Sequence, residues 1–433
     1  MEDQIAMWFL EDEPSTSEVP VQRKILRILG RVSLVTLITF FVALTYFFYL
    51  YSWYALIGMN DFGKFLQTAK AMWTESPDPY APGPHTIMEI DGFSMHFLDM
   101  NPPQFHVFLY PLIGVSNEAA ATIWLLVQLA ACIVGLFLIQ RDLGLTSLKI
   151  RTRVGILYLI MLSTPTLAIL ITGQFTFVLF LLVTLAWCDF RAGRWTRGGM
   201  ILGIGLGVKA FFLIFLPWFL IRRRWSAAIA FLGAGALMYG LGYIVHGQTA
   251  MVSWLRSLQA IDWLWVPMNA SLPGFLDRTL RHTLSFEPVA NGVAFLRPMA
   301  MTLVPLLGIL TFWRIGWPRG RDLNYEMALL LTAAQLLQPL GHVYYIWLIA
   351  APITPLVRQW LTEMRCGEAP KGRSFLLHAA LLGFVLPIGL FRIFPEHAFF
   401  TMTTGSVFFW ALLSLWLLLM LYPPKHLADQ AVE

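Results

Sequence analysis

The chain has 433 residues, of which 58% are hydrophobic and only 13% charged, with a formal net charge of +5. Soluble domains carry roughly a quarter charged residues, whereas apolar runs of about 20 residues recur here along the whole length, so a soluble protein is excluded and a polytopic helical membrane protein is expected. Continuous rather than alternating runs exclude a β-barrel, and basic residues bunched between the runs read as membrane topology rather than nucleic-acid binding.

Residues 1–31 form an expected cytoplasmic tail with no cleavable signal pattern. Arg23, Lys24, Arg27 and Arg31 precede the first apolar run at 32–57, so that helix runs outward. The membrane domain spans 32–422, and 423–433 is a second cytoplasmic tail. The first extracytoplasmic loop covers 58–118. It opens with GMNDFGKFLQTAKAMWTESPDPY. Phe62, Phe65, Leu66, Ala69, Met72 and Trp73 recur at helical spacing, with Lys64, Gln67 and Lys70 between them. The pattern predicts a short amphipathic helix along an interface. Asn60 and Asp61 stand at its capping position, where a carboxylate serves either as a plain cap or as a catalytic base. Further on, NPPQFHVFLYPLIGV is too short to span and reads as a re-entrant or interfacial piece. Glu89, Asp91, His96 and Asp99 match no standard cation spacing. No cofactor is expected, with a divalent cation left open.

The chain returns inward over 119–140. Runs at 154–171 and 175–189 form a hairpin with Thr172, Gly173 and Gln174 at its outer tip. Residues 200–221 read as a shorter hairpin broken near Lys209. Arg222, Arg223 and Arg224 are a topology signal. A span at 227–245 leads out to a second extracytoplasmic loop, 246–288, rich in Trp. Spans follow at 289–313, 323–340 and 344–356, the last two joined by the tip Gly341–His342. A final hairpin covers 375–394 and 398–422. The expected fold is all-α, with about ten to thirteen membrane helices and large extracytoplasmic loops. Cys132 and Cys188 fall in apolar runs and Cys366 in a basic loop; their spacing fits neither a disulfide framework nor a metal site.

Ionisable and polar groups in or near a membrane are functional candidates by default. Asp61, Gly173, Gln174, Lys209, Asn269, Ser271, Arg278 and His342 are far apart in sequence, yet the inferred topology brings all of them to one outer surface. A carboxylate, a histidine and several cations converging there fit an anionic ligand and a proton transfer.

An ordered series of segments resembles the GT-C class of membrane glycosyltransferases, and glycosyltransferase family 87 in particular. It comprises DF at Asp61 with its downstream helix, DPY at Asp78 to Tyr80, NPPQFHVFLYPL from Asn101, and TGQFTFVLFLL from Thr172. It continues with GMILGIGLGVKAFFLIFLPWFLIRRRW from Gly199, NASLPGFLDR from Asn269 and GHVYY from Gly341. The resemblance implies an enzyme that takes a sugar, most often mannose, from a polyprenyl-phosphate donor. Transfer is to a glycolipid or glycan hydroxyl at the outer face, with inversion. It implies Asp61 as the base and Lys209, His342 and Arg278 against the donor phosphate. Gln174, Asn269, Ser271 and Tyr80 become substrate contacts. A bacterial inner membrane with both termini cytoplasmic is the implied setting. A transporter or flippase of lipid-linked saccharides would share a polar outer cavity, but would place polar groups at mid-membrane depth in both halves.

Overall fold

The computed structural model describes residues 61–83, 87–90, 93–96, 98–144, 163–261, 264–266, 268–279, 292–316, 322–367, 370–385 and 405–423. Both terminal tails, the first apolar run at 32–57, Asn60, Asp91 and parts of the spans expected at 154–171, 289–313, 375–394 and 398–422 lie outside these residues.

The described chain is helical, with one short antiparallel hairpin, β1 (Ile87–Ile90) and β2 (Phe93–His96), in the first loop. The sequence reading holds no strand there, although Asp-Gly between two short runs is a strong hairpin signal. Helix α1 (Asp61–Trp73) begins at the expected aspartate, and the short α2 (Pro103–Val107) carries the NPPQFH segment. Helix α3 (Asn117–Asp142) starts where the Ser116 hydroxyl accepts from the Ala119 amide at 3.3 Å. Helix α4 (Thr164–Thr172) stops on Gly173, which takes the left-handed conformation at φ 71°, and α5 (Thr176–Arg191) follows at once.

Next comes α6 (Trp195–Val208), which ends where Lys209 is extended at φ −135° and ψ 113°. A 3₁₀ turn (Ala210–Ile214) and α7 (Phe215–Ile221) bring the chain back, with the Phe212 ring against Gly205. The break expected near Lys209 therefore falls on Lys209 itself. Helix α8 (Trp225–Gln259) is followed by α9 (Leu272–Thr279), α10 (Gly292–Gly316) and α11 (Leu323–Leu337). A 3₁₀ helix (Val343–Ile349), α12 (Ala350–Arg365), α13 (Lys371–Val385) and α14 (Val407–Leu421) complete the described elements. Among the described residues, α3, α8 and the Pro298–Gly316 part of α10 are long and apolar enough to cross a membrane.

Two differences from the sequence reading have local causes. The second loop does not open as an irregular chain at His246. Gly247, at φ 74° and ψ −177°, kinks α8, and the helix continues to Gln259. Helix α1 buries Lys64, which the apolar spacing places on its polar face. Phe62, Gly63, Lys64, Phe65, Leu66, Thr68, Ala69 and Met72 are all buried, so protein covers it on more than one side.

Among the described residues, α6 packs extensively against α8. Gly199, Gly203 and Gly207 recur every four residues on one face of α6. A Cβ at Gly199 would lie 2.4 Å from the Ala227 carbonyl oxygen, one at Gly203 2.2 Å from the Phe231 carbonyl oxygen, and one at Gly207 2.3 Å from Met238 Cβ. Small residues at this spacing let backbones approach where lipid offers no hydrophobic driving force between helices. The stripe sets the axial position of α6 and so of Lys209 at its end. At the opposite end, the buried Glu326 on α11 accepts from Trp218 Nε1 at 2.8 Å and from the partly buried Arg222 Nε at 2.7 Å, which ties α7 to α11.

Gly203→Val should force α6 off α8 at a cost of about 1–3 kcal/mol. The expected outcome is a lowered thermal midpoint of the purified protein, with a much smaller change for Gly233→Val, whose Cβ meets nothing within 4 Å.

Candidate active site

The floor of the site is aromatic. Phe62 stacks on Trp124 at 5.2 Å, Phe65 meets Phe105 edge-on at 5.3 Å, and Phe105 lies 4.5 Å from Phe175. These rings join α1, α2, α3 and the start of α5. Trp124 Nε1 donates to the Gly173 carbonyl at 2.7 Å and fixes the α4–α5 tip beneath α1.

On this floor, Asp61 stands in the first turn of α1, where the helix dipole favours a carboxylate. One oxygen accepts from Gln174 Nε2 at 2.5 Å and the other lies 2.6 Å from Lys64 Nζ. The Asp61 side chain keeps 18% of its surface open while Lys64 keeps 7%, so a ligand can reach the carboxylate but not its cation. The Gln174 Oε1 atom is buried and has no hydrogen-bond partner among the described residues. Lys209 is partly buried, with Nζ over the Phe175 ring at 5.1 Å and the Tyr345 ring at 5.9 Å. It interacts electrostatically with both Asp99 and Asp61. His342, at the tip after α11, is within the electrostatic reach of Asp61, Lys209, Lys64 and Arg278, and its ring stacks on Tyr344 at 5.0 Å. Burial pushes its imidazole down to about 4; Asp61 opposes that shift and the three cations add to it. His342 is therefore neutral at pH 7 in the resting protein.

A second acid–base pair adjoins this group. Asp99 Oδ2 lies 2.8 Å from His106 Nε2, and both side chains are fully buried. Burial works against the Asp99 charge, yet His106, the Asn101 amide and Lys64 together hold its carboxyl below the usual range. Asp99 Oδ1 accepts from the Asn101 amide and from Asn101 Nδ2, both at 2.9 Å. The Tyr80 hydroxyl donates to the Asn101 carbonyl at 2.6 Å and sits buried, edge-on to His106. Ser253, on the extension of α8 beyond Gly247, donates to Asp78. The DPY stretch thus clamps the first loop onto α8.

Asn269, Ser271 and Arg278 stand beside the His342 tip, engaged with backbone. Asn269 Nδ2 donates to the Leu264 and Pro339 carbonyls, both at 2.8 Å, and Asn269 pairs with His342 as a short bridge. Ser271 Oγ donates to the Pro339 carbonyl at 3.0 Å and accepts from the Gly274 amide at 3.0 Å. Arg278 Nε donates to Ser406 Oγ at 2.9 Å and Nη1 to the Val266 carbonyl at 3.0 Å. Gly341 has to be glycine: a Cβ there would lie 1.9 Å from the Gln335 carbonyl oxygen.

The structure therefore brings Asp61, Gln174, Lys209 and His342 within hydrogen-bond or electrostatic reach of one another. Tyr80, Asn269 and Ser271 are buried and bonded to backbone, and Arg278 is buried within electrostatic reach of His342. Sequence reasoning passed over Lys64 and His106, and weighed Asp99 only as a cation ligand. The three-residue spacing of Asp61 and Lys64 was a usable signal, since such pairs meet on a helix. Nothing local announced the Asp99–His106 pair. Among the described residues no group of three His, Cys, Asp or Glu side chains could hold a metal ion.

The chain is 26% identical over 225 residues to a polyprenol-phosphate-mannose-dependent alpha-(1-2)-phosphatidylinositol pentamannoside mannosyltransferase of Mycolicibacterium smegmatis. The match covers 51% of this chain and 52% of that protein, so the chain spans about half the length of the curated relative it matches. No solved structure matches it. Residues 99–339, more than half of the sequence and including Lys209, Asn269 and Arg278, match glycosyltransferase family 87. On that extent of match, the chain is an integral membrane protein that belongs to glycosyltransferase family 87.

Proposed function

We propose that this protein transfers a sugar, most simply mannose, from a polyprenyl-phosphate donor to a hydroxyl of a glycolipid or glycan, with Asp61 as general base. The observation that supports this reading is the partly exposed Asp61 carboxylate, held by Gln174 and Lys64 and within electrostatic reach of Lys209 and His342. A sugar hydroxyl is a weak nucleophile until its proton has an acceptor. Asp61 takes that proton as the acceptor oxygen bonds to the anomeric carbon, and the bond from that carbon to the phosphate oxygen breaks. Attack from the side opposite the leaving phosphate inverts the anomeric centre. The leaving polyprenyl phosphate gains a negative charge and calls for cations and donors rather than a proton. Lys209 and His342 fill that part in our reading, and charges count for far more in such a water-poor cleft than in bulk water.

The remaining polar groups take positioning parts. Asn269 and Ser271 hold the Pro339–His342 tip, Arg278 holds the second loop, and Tyr80 with Asp99 and His106 fixes the first loop. The relative's donor supports polyprenyl-phosphate-mannose as the first to try. We place the cleft on the extracytoplasmic face of a bacterial inner membrane, with both termini cytoplasmic.

The test is purified full-length protein with polyprenyl-phosphate-mannose and a panel of glycolipid acceptors. Asp61→Asn should lower transfer by about 10²- to 10⁴-fold, the usual worth of a general base, while donor binding persists. Transfer that survives this change removes Asp61 from the mechanism. Failure of the wild type to transfer from any lipid-linked sugar, coupled with its flipping one in liposomes, would replace the enzyme by a transporter.

His342 gives a pH test. Its folded value of about 4 lies below the ordinary 6.5, so between these values the unfolded chain binds the proton more readily than the folded one. Stability then falls as pH drops from about 6.5 towards 4. The thermal midpoint of His342→Gln should fall less over the same window than that of the wild type.

A further inference from the structure

Two turns at the far end of the bundle are built alike. After α5, Gly193 takes φ 74°, its amide donates to the Phe190 carbonyl at 3.0 Å, and the Arg194 amide donates to the Asp189 carbonyl at 2.8 Å. After α7, Arg223 takes the same place at φ 54°, its amide donates to the Leu220 carbonyl at 3.0 Å, and the Arg224 amide donates to the Phe219 carbonyl at 2.8 Å. Both are helix ends of the type that favours glycine in the left-handed position. One turn has glycine there and the other has arginine. Each then runs through Arg-Trp and a hydroxyl residue into the next helix: Arg194, Trp195 and Thr196 into α6, and Arg224, Trp225 and Ser226 into α8.

The two turns enclose an open cavity of about 620 Å³ lined by Arg194, Arg197, Arg223, Arg224, Trp195 and Trp225, among others. Its charge is unbalanced. Asp189 pairs with Arg194 at 2.7 Å and with Arg197 at 3.0 Å, and among the described residues Arg223 and Arg224 have no carboxylate partner. Arg224 is held over the Trp195 ring at 4.3 Å. The starts of α6 and α8 both border the cavity, and neither has a side-chain cap hydrogen bond. Four guanidiniums against one carboxylate, beside two helix starts without side-chain caps, make a cradle for a tetrahedral oxyanion. The two tryptophans, with Trp225 60% exposed, suit the headgroup level of a bilayer. The cavity is separate from the Asp61 cleft, because α5 and α6 carry the chain about 20–25 Å away from Phe175 and Lys209.

We infer that this cavity binds a phosphate-ester anion at the membrane surface opposite the sugar-transfer cleft. The phosphate comes either from an anionic lipid headgroup or from a soluble phosphate, and the same donors serve both. The experiment uses the full chain in phosphatidylcholine nanodiscs, in the same nanodiscs with inorganic phosphate added, and in nanodiscs containing phosphatidylglycerol. The wild type should gain thermal stability from at least one of the two anions: from phosphatidylglycerol alone if the source is a headgroup, and from inorganic phosphate if it is soluble. Arg223→Gly is the decisive variant. Glycine suits φ 54°, so its midpoint in phosphatidylcholine alone should equal or exceed that of the wild type. Its apparent affinity for the anion should be about tenfold weaker, the loss of one charge-assisted contact. Absence of any response to either anion in the wild type, or an undiminished response in both Arg223→Gly and the double variant Arg197→Gln/Arg223→Gly, overturns the inference.

Discussion

The pairing of Asp61 with Lys64 and Gln174 is the contact on which the site depends. A carboxylate in a largely dehydrated cleft is sustainable only if partners compensate its lost hydration. Lys64 supplies the opposite charge from one turn along the same helix, and Gln174 supplies a hydrogen bond from the α4–α5 tip. One partner is local and the other arrives through the fold. The aromatic floor of Phe62, Phe65, Phe105, Trp124 and Phe175 keeps the two elements in register while excluding water from beneath the charge.

The cation on the other side is positioned by a different device. Lys209 follows a helix whose glycine face lets it sit against the α8 backbone. Where the glycines end, the chain extends for one residue and turns back, so the lysine emerges at a height fixed by backbone contact. Side-chain packing alone would tolerate slippage; the two close approaches to the α8 backbone, at Ala227 and Phe231, do not. The same α8 bends at Gly247 and continues along the first loop, where Ser253, Trp254 and Ser257 grip Asp78, Met100 and Asp99. One long helix thus sets both Lys209 and the loop that carries the buried Asp99–His106 pair.

Local patterns were legible in the sequence to the extent that they needed no distant partner. The helix starting at Asp61, the tips at Gly173–Gln174 and Gly341–His342, and the break at Lys209 all follow from apolar spacing and turn chemistry. What the side chains do at those places was not legible in the same way. Asn269, Ser271, Arg278 and Tyr80 read as ligand contacts through the family resemblance. In the structure Asn269, Ser271 and Tyr80 donate to carbonyls at Pro339 and Asn101, up to 70 residues distant, and Arg278 donates to the Ser406 hydroxyl and the Val266 carbonyl. Lys64 read as a solvated residue on a polar face because helical spacing cannot say how many faces the rest of the protein will cover. The helical course of 248–259 was hidden because its Trp-rich, mixed-polarity composition fits an interfacial loop as well as a helix.

The charges of the cleft suggest why it is arranged in this way. Asp61 pairs with Lys64 and Asp99 with His106, and Lys209 interacts electrostatically with both carboxylates. His342 is held neutral by burial and by Lys209, Lys64 and Arg278. Each carboxylate thus has a partner of its own, as a low dielectric demands. In the proposed mechanism a phosphodiester donor adds one negative charge next to Lys209 and His342, and that charge favours protonation of an imidazole that was suppressed before it arrived. In the proposed transfer Asp61 becomes neutral as it accepts the hydroxyl proton, and the leaving phosphate becomes more negative by the same amount. The net charge of the cleft does not change; one unit of it moves from the Lys64 side to the Lys209 side. Fixed cations at both ends of that path stabilise the start and the finish, so little reorganisation is required between them. On this argument Lys64 does more than hold Asp61 in place. In the proposed mechanism it sets a fixed cation beside the acceptor-side carboxylate, and its burial keeps it there.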